Sequence, residues 1–122
     1  MSISNYAELK LLDHVTGRAA FTKPSNVYLK LHTGDPGEDA TNNAATETTR
    51  KEATWATAAS GAIATNATVE WTNVSTTETY THWSMWDAST AGNALWKGAL
   101  SASAAVTAGD TFQITSLTLS LD

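Results

Sequence analysis

Two hydrophobic periods meet at Pro24, and the change between them restricts the fold more than any other feature of this sequence. Before it, Tyr6, Leu9, Leu12 and Val15 recur at three-residue spacing and form one apolar stripe, which predicts a helix over about 5–16. Ser4 or Asn5 can cap it, Asn5 and Glu8 have the spacing of a capping box, and Gly17 suits the left-handed residue that ends a helix. A stripe this narrow predicts a helix lying across a sheet. After Pro24, Val27, Leu29 and Leu31 alternate with Tyr28, Lys30 and His32, the period of a half-buried strand.

The rest of the chain continues in short strand candidates divided by Gly, Asn or Ser, at about 51–57, 67–72, 78–87, 94–100 and 111–121. Residues 87–93 read as a hairpin connection and Ala108-Gly109-Asp110 as a tight turn. In 111–121, Phe112 and Ile114 hold one parity while Leu117, Leu119 and Leu121 hold the other, so a bulge near Thr115-Ser116 would bring all five to one core. The expected fold is mainly β, an antiparallel β-sandwich or jelly-roll-like domain with one N-terminal α-helix. A chain of 122 residues fits one domain spanning 1–122. Two stretches stand outside this scaffold. Residues 34–49 form a long polar run, read as an exposed loop, and Met1 to Asn5 form an arm ahead of the helix.

Charge and composition then narrow the function. The net charge is −5 and the seven Lys and Arg are scattered apart from Arg50-Lys51, so no basic stripe is available for nucleic acid. The 21 Ala and 21 Thr make a neutral, hydroxyl-rich surface. Without cysteine there is neither a disulfide framework nor a thiolate metal site. The start lacks a basic region followed by an apolar run, and no stretch approaches the ~20 apolar residues of a membrane span. The expectation is a soluble, unprocessed protein made in a cytoplasm, with no membrane partner.

Catalysis would have to come from His14, His32, His82 or the acids, and none of these sits in a local motif. The acids Asp35, Glu38 and Asp39 lack the alternation, central Gly and distal Glu of an EF-hand loop, so they read as a solvated turn. The chain is therefore read as having no catalytic, metal or cofactor site. Trp55, Trp71, Trp83, Trp86 and Trp96 are the more informative residues. Trp83 and Trp86 have opposite parity, so one of them must point away from the core toward a neighbouring element or subunit. Protein contact is the favoured role for such a ring, with sugar stacking the competing one.

Four stretches, Asn5 to Val15, Pro24 to Pro36, Trp86 to Leu95 and Val106 to Phe112, resemble a family of small tailed-bacteriophage virion structural proteins, often described as tail-fibre or head decoration (cement) proteins. The likeness departs at Thr46 to Glu52, where a Gly-rich, Tyr-Ala-Arg-like approach to the second strand is expected. The resemblance implies a non-enzymatic virion protein. Size favours a capsid decoration protein; the alternative is a small tail-fibre, tail-tip or adaptor piece, with host-glycan binding among its expected roles. The expected partners are a second or third copy of the chain, through unblocked sheet edges, and the major capsid protein or tail proteins of the virion. The residues expected to make those contacts are Ile3 of the arm, Asp35, Pro36, Glu38 and Asp39 of the loop, and Trp86.

Overall fold

The computed structural model describes residues 1–121. The chain opens with a short strand, β1 (Ser2–Ile3), that pairs antiparallel with Lys97 and Trp96, so the arm expected to be free is the edge of a sheet. Ser4 follows and caps helix α1 (Asn5–Val15), its hydroxyl oxygen accepting from the Ala7 N–H at 3.2 Å. The Ser4 backbone N–H donates to the Leu95 carbonyl at 3.0 Å and its hydroxyl to the Ala94 carbonyl. At the other end Gly17 takes φ 76°, its N–H donates to His14 O at 3.2 Å, and the Arg18 N–H donates to Asp13 O at 2.9 Å. These two bonds satisfy carbonyls that the helix end would leave open.

The apolar stripe does not face the sheet as expected. Leu9, Leu12 and Val15 are 67%, 61% and 73% exposed, and the helix buries Ala7 instead. The reason is rotational: Ser4 is tied to the neighbouring strand and turns Ala7 inward, and at 100° per residue Leu9 and Leu12 then lie roughly 200° and 140° away. Replacing Leu9, Leu12 and Val15 by Ser, one at a time, should change unfolding free energy by under about 0.5 kcal/mol each. Ala7→Leu, which overpacks the buried side, should destabilise by about 1–3 kcal/mol. Urea melts of the four variants would check both statements.

The main sheet is antiparallel and runs β1, β7 (Ala94–Val106), β6 (Glu78–Trp86), β2 (Val27–His32), β3 (Lys51–Ala53). Two two-stranded ribbons complete the fold: β4 (Ala62–Ala64) with β9 (Thr118–Ser120), and β5 (Val69–Trp71) with β8 (Phe112–Ile114). Leu29 and Leu31 of β2, Tyr80, Trp83 and Met85 of β6 and Leu95 of β7 meet Val69, Trp71, Ile114 and Leu119 of the ribbons in one core. The fold is an antiparallel β-sandwich with an N-terminal helix, as the sequence implied.

Three local readings change. β4 lay outside the expected strands, because Ala62-Ile63-Ala64 is too short and too small-chained to show alternation. The last expected strand is split into β8 and β9, so that Phe112, Ile114, Leu117 and Leu119 reach the core while Leu121 stays 58% exposed. In β6, Tyr80 joins Trp83 and Met85 on the core face although its parity differs, because the register against β7 shifts between Tyr80 and His82. Gly98 sits beneath Trp83: a Cβ there would lie 2.7 Å from Cζ2 of the ring.

The segment read as an exposed loop, 34–49, keeps most of its side chains exposed but is anchored at both ends: Ala40 packs on Trp86 at the outer face of the main sheet, while Ala45 joins the main core and the Thr49 carbonyl accepts from the Trp71 indole N–H. Pro36, Ala40 and Ala45 are buried. The segment folds back on β2 through Thr33 N–H to Asn43 O at 2.9 Å and Ala45 N–H to Leu31 O at 3.1 Å. Ala40 and Asn43 take left-handed φ of 55° and 52° to close the turns. Covered on both faces, β6 has four consecutive buried residues, Trp83 to Trp86, which an alternating pattern does not predict.

Candidate functional site

The residues singled out from the sequence converge on this covered outer face. His32 and Ser84 are on it, and so is Trp86, packed with Ala40 and Ala94 in a cluster separate from the main core. Trp86 therefore points to a neighbouring element, the loop of its own chain. The Arg50 guanidinium lies 4.0 Å from its ring centroid and Lys30 Nζ 5.7 Å. Arg50 also donates to the Ala88 and Ala91 carbonyls at 2.8 and 2.7 Å, holding the β6–β7 hairpin against the ring.

The loop is organised around Lys97 of β7. Lys97 Nζ is 2.9 Å from Asp35 Oδ1 and 3.5 Å from Glu38 Oε1. Asp35 Oδ1 also accepts from the Gly37 N–H at 2.9 Å, and the Asp35 carbonyl accepts from Asn43 Nδ2 at 2.9 Å. The Gly37 N–H, helped by Lys97, holds the Asp35 carboxyl below the usual carboxylate range, and Asp35 in turn raises Lys97. Asp39 is exposed and has no ion-pair partner among the described residues. The result is a surface with three carboxylates and one lysine, fixed in shape by backbone bonds.

Beside it, Asp39, Thr41 and Trp86 line a pocket of about 240 Å³ together with Ser4, Tyr6 and Asn93. Thus the structure brings Asp35, Glu38, Asp39 and Trp86 together, whereas Ile3 lies on the edge strand β1, half-buried, paired with Trp96 and packed against the main core. Pro36 and Trp86 are buried, so their part in any contact is to shape the loop rather than to touch a partner. Sequence reasoning did not assign Lys97, Arg50, Tyr6 or Asn93 to a site: Tyr6 was marked only as part of the helix stripe and Arg50 only as half of a basic pair. The fold brings all four here from distant positions, and no local pattern marks them as neighbours. The histidines are engaged in bonds: His14 Nδ1 accepts from the Phe21 N–H at 3.1 Å, His82 Nδ1 is 2.8 Å from Thr81 Oγ1, and His32 is buried. No group of acids and histidines able to hold a metal occurs among the described residues.

A family model described as Podophage GP4 fiber I protein gp80 matches residues 2–122. No curated protein matches the chain.

Proposed function

The chain belongs to the Podophage GP4 fiber I protein gp80 family, a phage virion structural protein, and from that premise we propose that it is a non-enzymatic, single-domain subunit of a fibre or tail appendage. It attaches to a neighbouring virion protein through the acidic loop around Asp35, Glu38 and Asp39 and the adjoining β1 edge at Ile3. The observation that carries this reading is that the loop is already ordered by Lys97, Asn43 and His32, so binding requires little further loss of conformational entropy. Its excess of carboxylates suits a partner presenting Arg or Lys.

Size alone favours capsid decoration, because a chain folded around one core cannot form an extended shaft. The wording of the family favours the fibre. Locating the protein in an electron-microscopy map of the intact particle decides between them: density at the tail is expected, and a capsid-wide distribution would overturn the fibre reading in favour of decoration. For the contact itself, Glu38→Lys with Asp39→Lys should weaken retention on particles and reverse its salt dependence. Asp39 is exposed and unpaired among the described residues, so its substitution should move stability by under about 0.5 kcal/mol; Glu38→Lys also breaks the exposed pair with Lys97 and should cost up to about 1 kcal/mol. Full retention of the double variant would reject the loop as the contact.

A further inference from the structure

Trp71 and Trp83 are enclosed in the main core, and Trp86 is covered by the loop of its own chain. Trp55 is only partly buried, and it lines a cavity of about 490 Å³, roughly twice the volume of the pocket beside Asp39. The cavity opens where the β4–β9 ribbon meets the main sheet. Its floor is apolar, with Val27, Met85 and Leu95 on the sheet side and Ile63 and Leu119 on the ribbon side. Its mouth is polar, formed by Ser25 and Asn26, both exposed on the approach to β2. Ser25 supplies a hydroxyl, and Asn26 an amide donor and a carbonyl acceptor. The Trp55 indole N–H makes no hydrogen bond among the described residues, yet it is not sealed from water as that of Trp96 is.

Charge narrows what such a cavity can hold. Glu52 is the one charged residue around it. Strand alternation turns that carboxylate away, because Ala53 is buried in the core and its neighbour must point to the opposite face of β3. With no Lys or Arg in the lining and a net charge of −5, nothing offsets the charge of a phosphate, an acidic sugar or a fatty acid. A cation finds no carboxylate directed at it. The fitting ligand is neutral, with hydroxyls on one side and an apolar group on the other. An aliphatic ligand would leave the mouth and the indole N–H unused, and a bare hexose would lay hydroxyls on Met85 and Leu119 with nothing to bond.

We propose that this cavity is a saccharide site for a neutral hexose residue that carries one methyl-bearing group, either an acetamido group or the methyl of a deoxyhexose. The sugar ring lies against Trp55, its hydroxyls bond Ser25, Asn26 and the indole N–H, and its methyl enters the floor. The volume falls within the ~300–1,000 Å³ of small-molecule sites, and a mostly apolar lining with a few orienting polar groups is their usual composition. Trp55 supplies both kinds of contact, an apolar face and a polar handle. The cavity shares no residue with the acidic loop, so this inference stands apart from the loop contact and from the position of the protein in the virion.

Calorimetric titration of the full chain with N-acetylglucosamine, rhamnose and glucose gives the affinities, and heteronuclear NMR gives the place. At least one of the first two sugars should bind saturably and shift the Trp55 indole N–H resonance, and the one that binds more tightly names the substituent. Glucose, without the methyl, should bind roughly tenfold more weakly or worse. Asn26→Ala and Trp55→Phe each remove one hydrogen-bonding group and should raise the dissociation constant roughly fivefold. Asn26 is exposed, so its variant should keep the wild-type melting temperature even if Trp55→Phe perturbs the fold. No saturable binding of either methyl-bearing sugar up to its solubility, shifts confined to the other indoles, glucose bound as tightly as the better sugar, or unchanged affinity in both variants would each overturn the proposal.

Discussion

Trp86→Ala is expected to lower the unfolding free energy by roughly 3–5 kcal/mol, the range for truncating a buried aromatic ring, and to loosen the loop above it. The ring is 8% exposed and separates Ala40 of the loop from the sheet. Its indole N–H donates to Ser84 Oγ at 2.8 Å. Its face carries Arg50, which would keep its bonds to Ala88 and Ala91 but lose the surface on which it lies. The loss should be uneven across the molecule. Hydrogen exchange should show the Ala40 and Asn42 amides, which bond Gly37 and Pro36 carbonyls at 3.0 and 2.9 Å, opening more easily than the core amides. Trp71→Ala is the comparison. It truncates a fully buried ring in the main core, and should destabilise by a similar amount while the loop loses protection only in step with the whole fold. Unchanged stability of Trp86→Ala, or loop and core amides affected equally, would show that the loop does not depend on the ring.

Stability should also fall with pH because of His32. Its Nδ1 lies 2.9 Å from the Asn42 carbonyl, which can only accept, so Nδ1 carries the proton. Nε2 is then the acceptor, and the Ser84 hydroxyl donates to it at 2.7 Å while receiving the Trp86 N–H. This network uses the neutral ring. Burial is the main cause that lowers the His32 pKa; Lys30 and His82 add to it, and the Asn42 and Asn43 carbonyls oppose it. With the folded value below the ordinary histidine value of 6.5, the unfolded chain binds more protons in the interval between the two. The stabilisation is therefore complete above that value and is lost as pH falls through the folded pKa, with a slope of at most about 1.4 kcal/mol per pH unit. Urea melts of the wild type and His32→Gln between about pH 8 and pH 5 would test this. The wild type should weaken on acidification and the variant should not show that component; equal slopes in both would assign the loss to other groups. The Asp35 contribution falls in a separate, more acidic window, since its carboxyl is held below the usual range.

Much of the architecture follows from pattern. Val27, Leu29 and Leu31 face the ribbons as their alternation implies, and Gly17 ends the helix in the left-handed conformation expected of it. The opposite parity of Trp83 and Trp86 does place the two rings in different clusters. These readings held because each depends on residues a few positions apart, where backbone geometry fixes which side chains share a face.

The candidate site was legible only in part. Asp35, Glu38 and Asp39 stood out by charge and are exposed as expected, but their sequence did not show how the backbone beneath them is held, because polar and small residues look alike whether they are solvated or pinned. Lys97, Asn43 and His32 do the pinning, and two of the three are ordinary residues of strands whose partners lie far along the chain. The helix stripe failed for a similar reason: Leu9, Leu12 and Val15 make a regular face, but the anchoring of Ser4 to Ala94 and Leu95 sets which way the helix is turned. The sequence by itself determined the extent of the helix, the alternation of β2 and the lack of any cysteine. Only the tertiary structure decided which faces are covered and how an acidic loop became a fixed surface. Those outcomes rest on contacts between residues distant in the chain, and a local pattern carries no information about what will be packed against it.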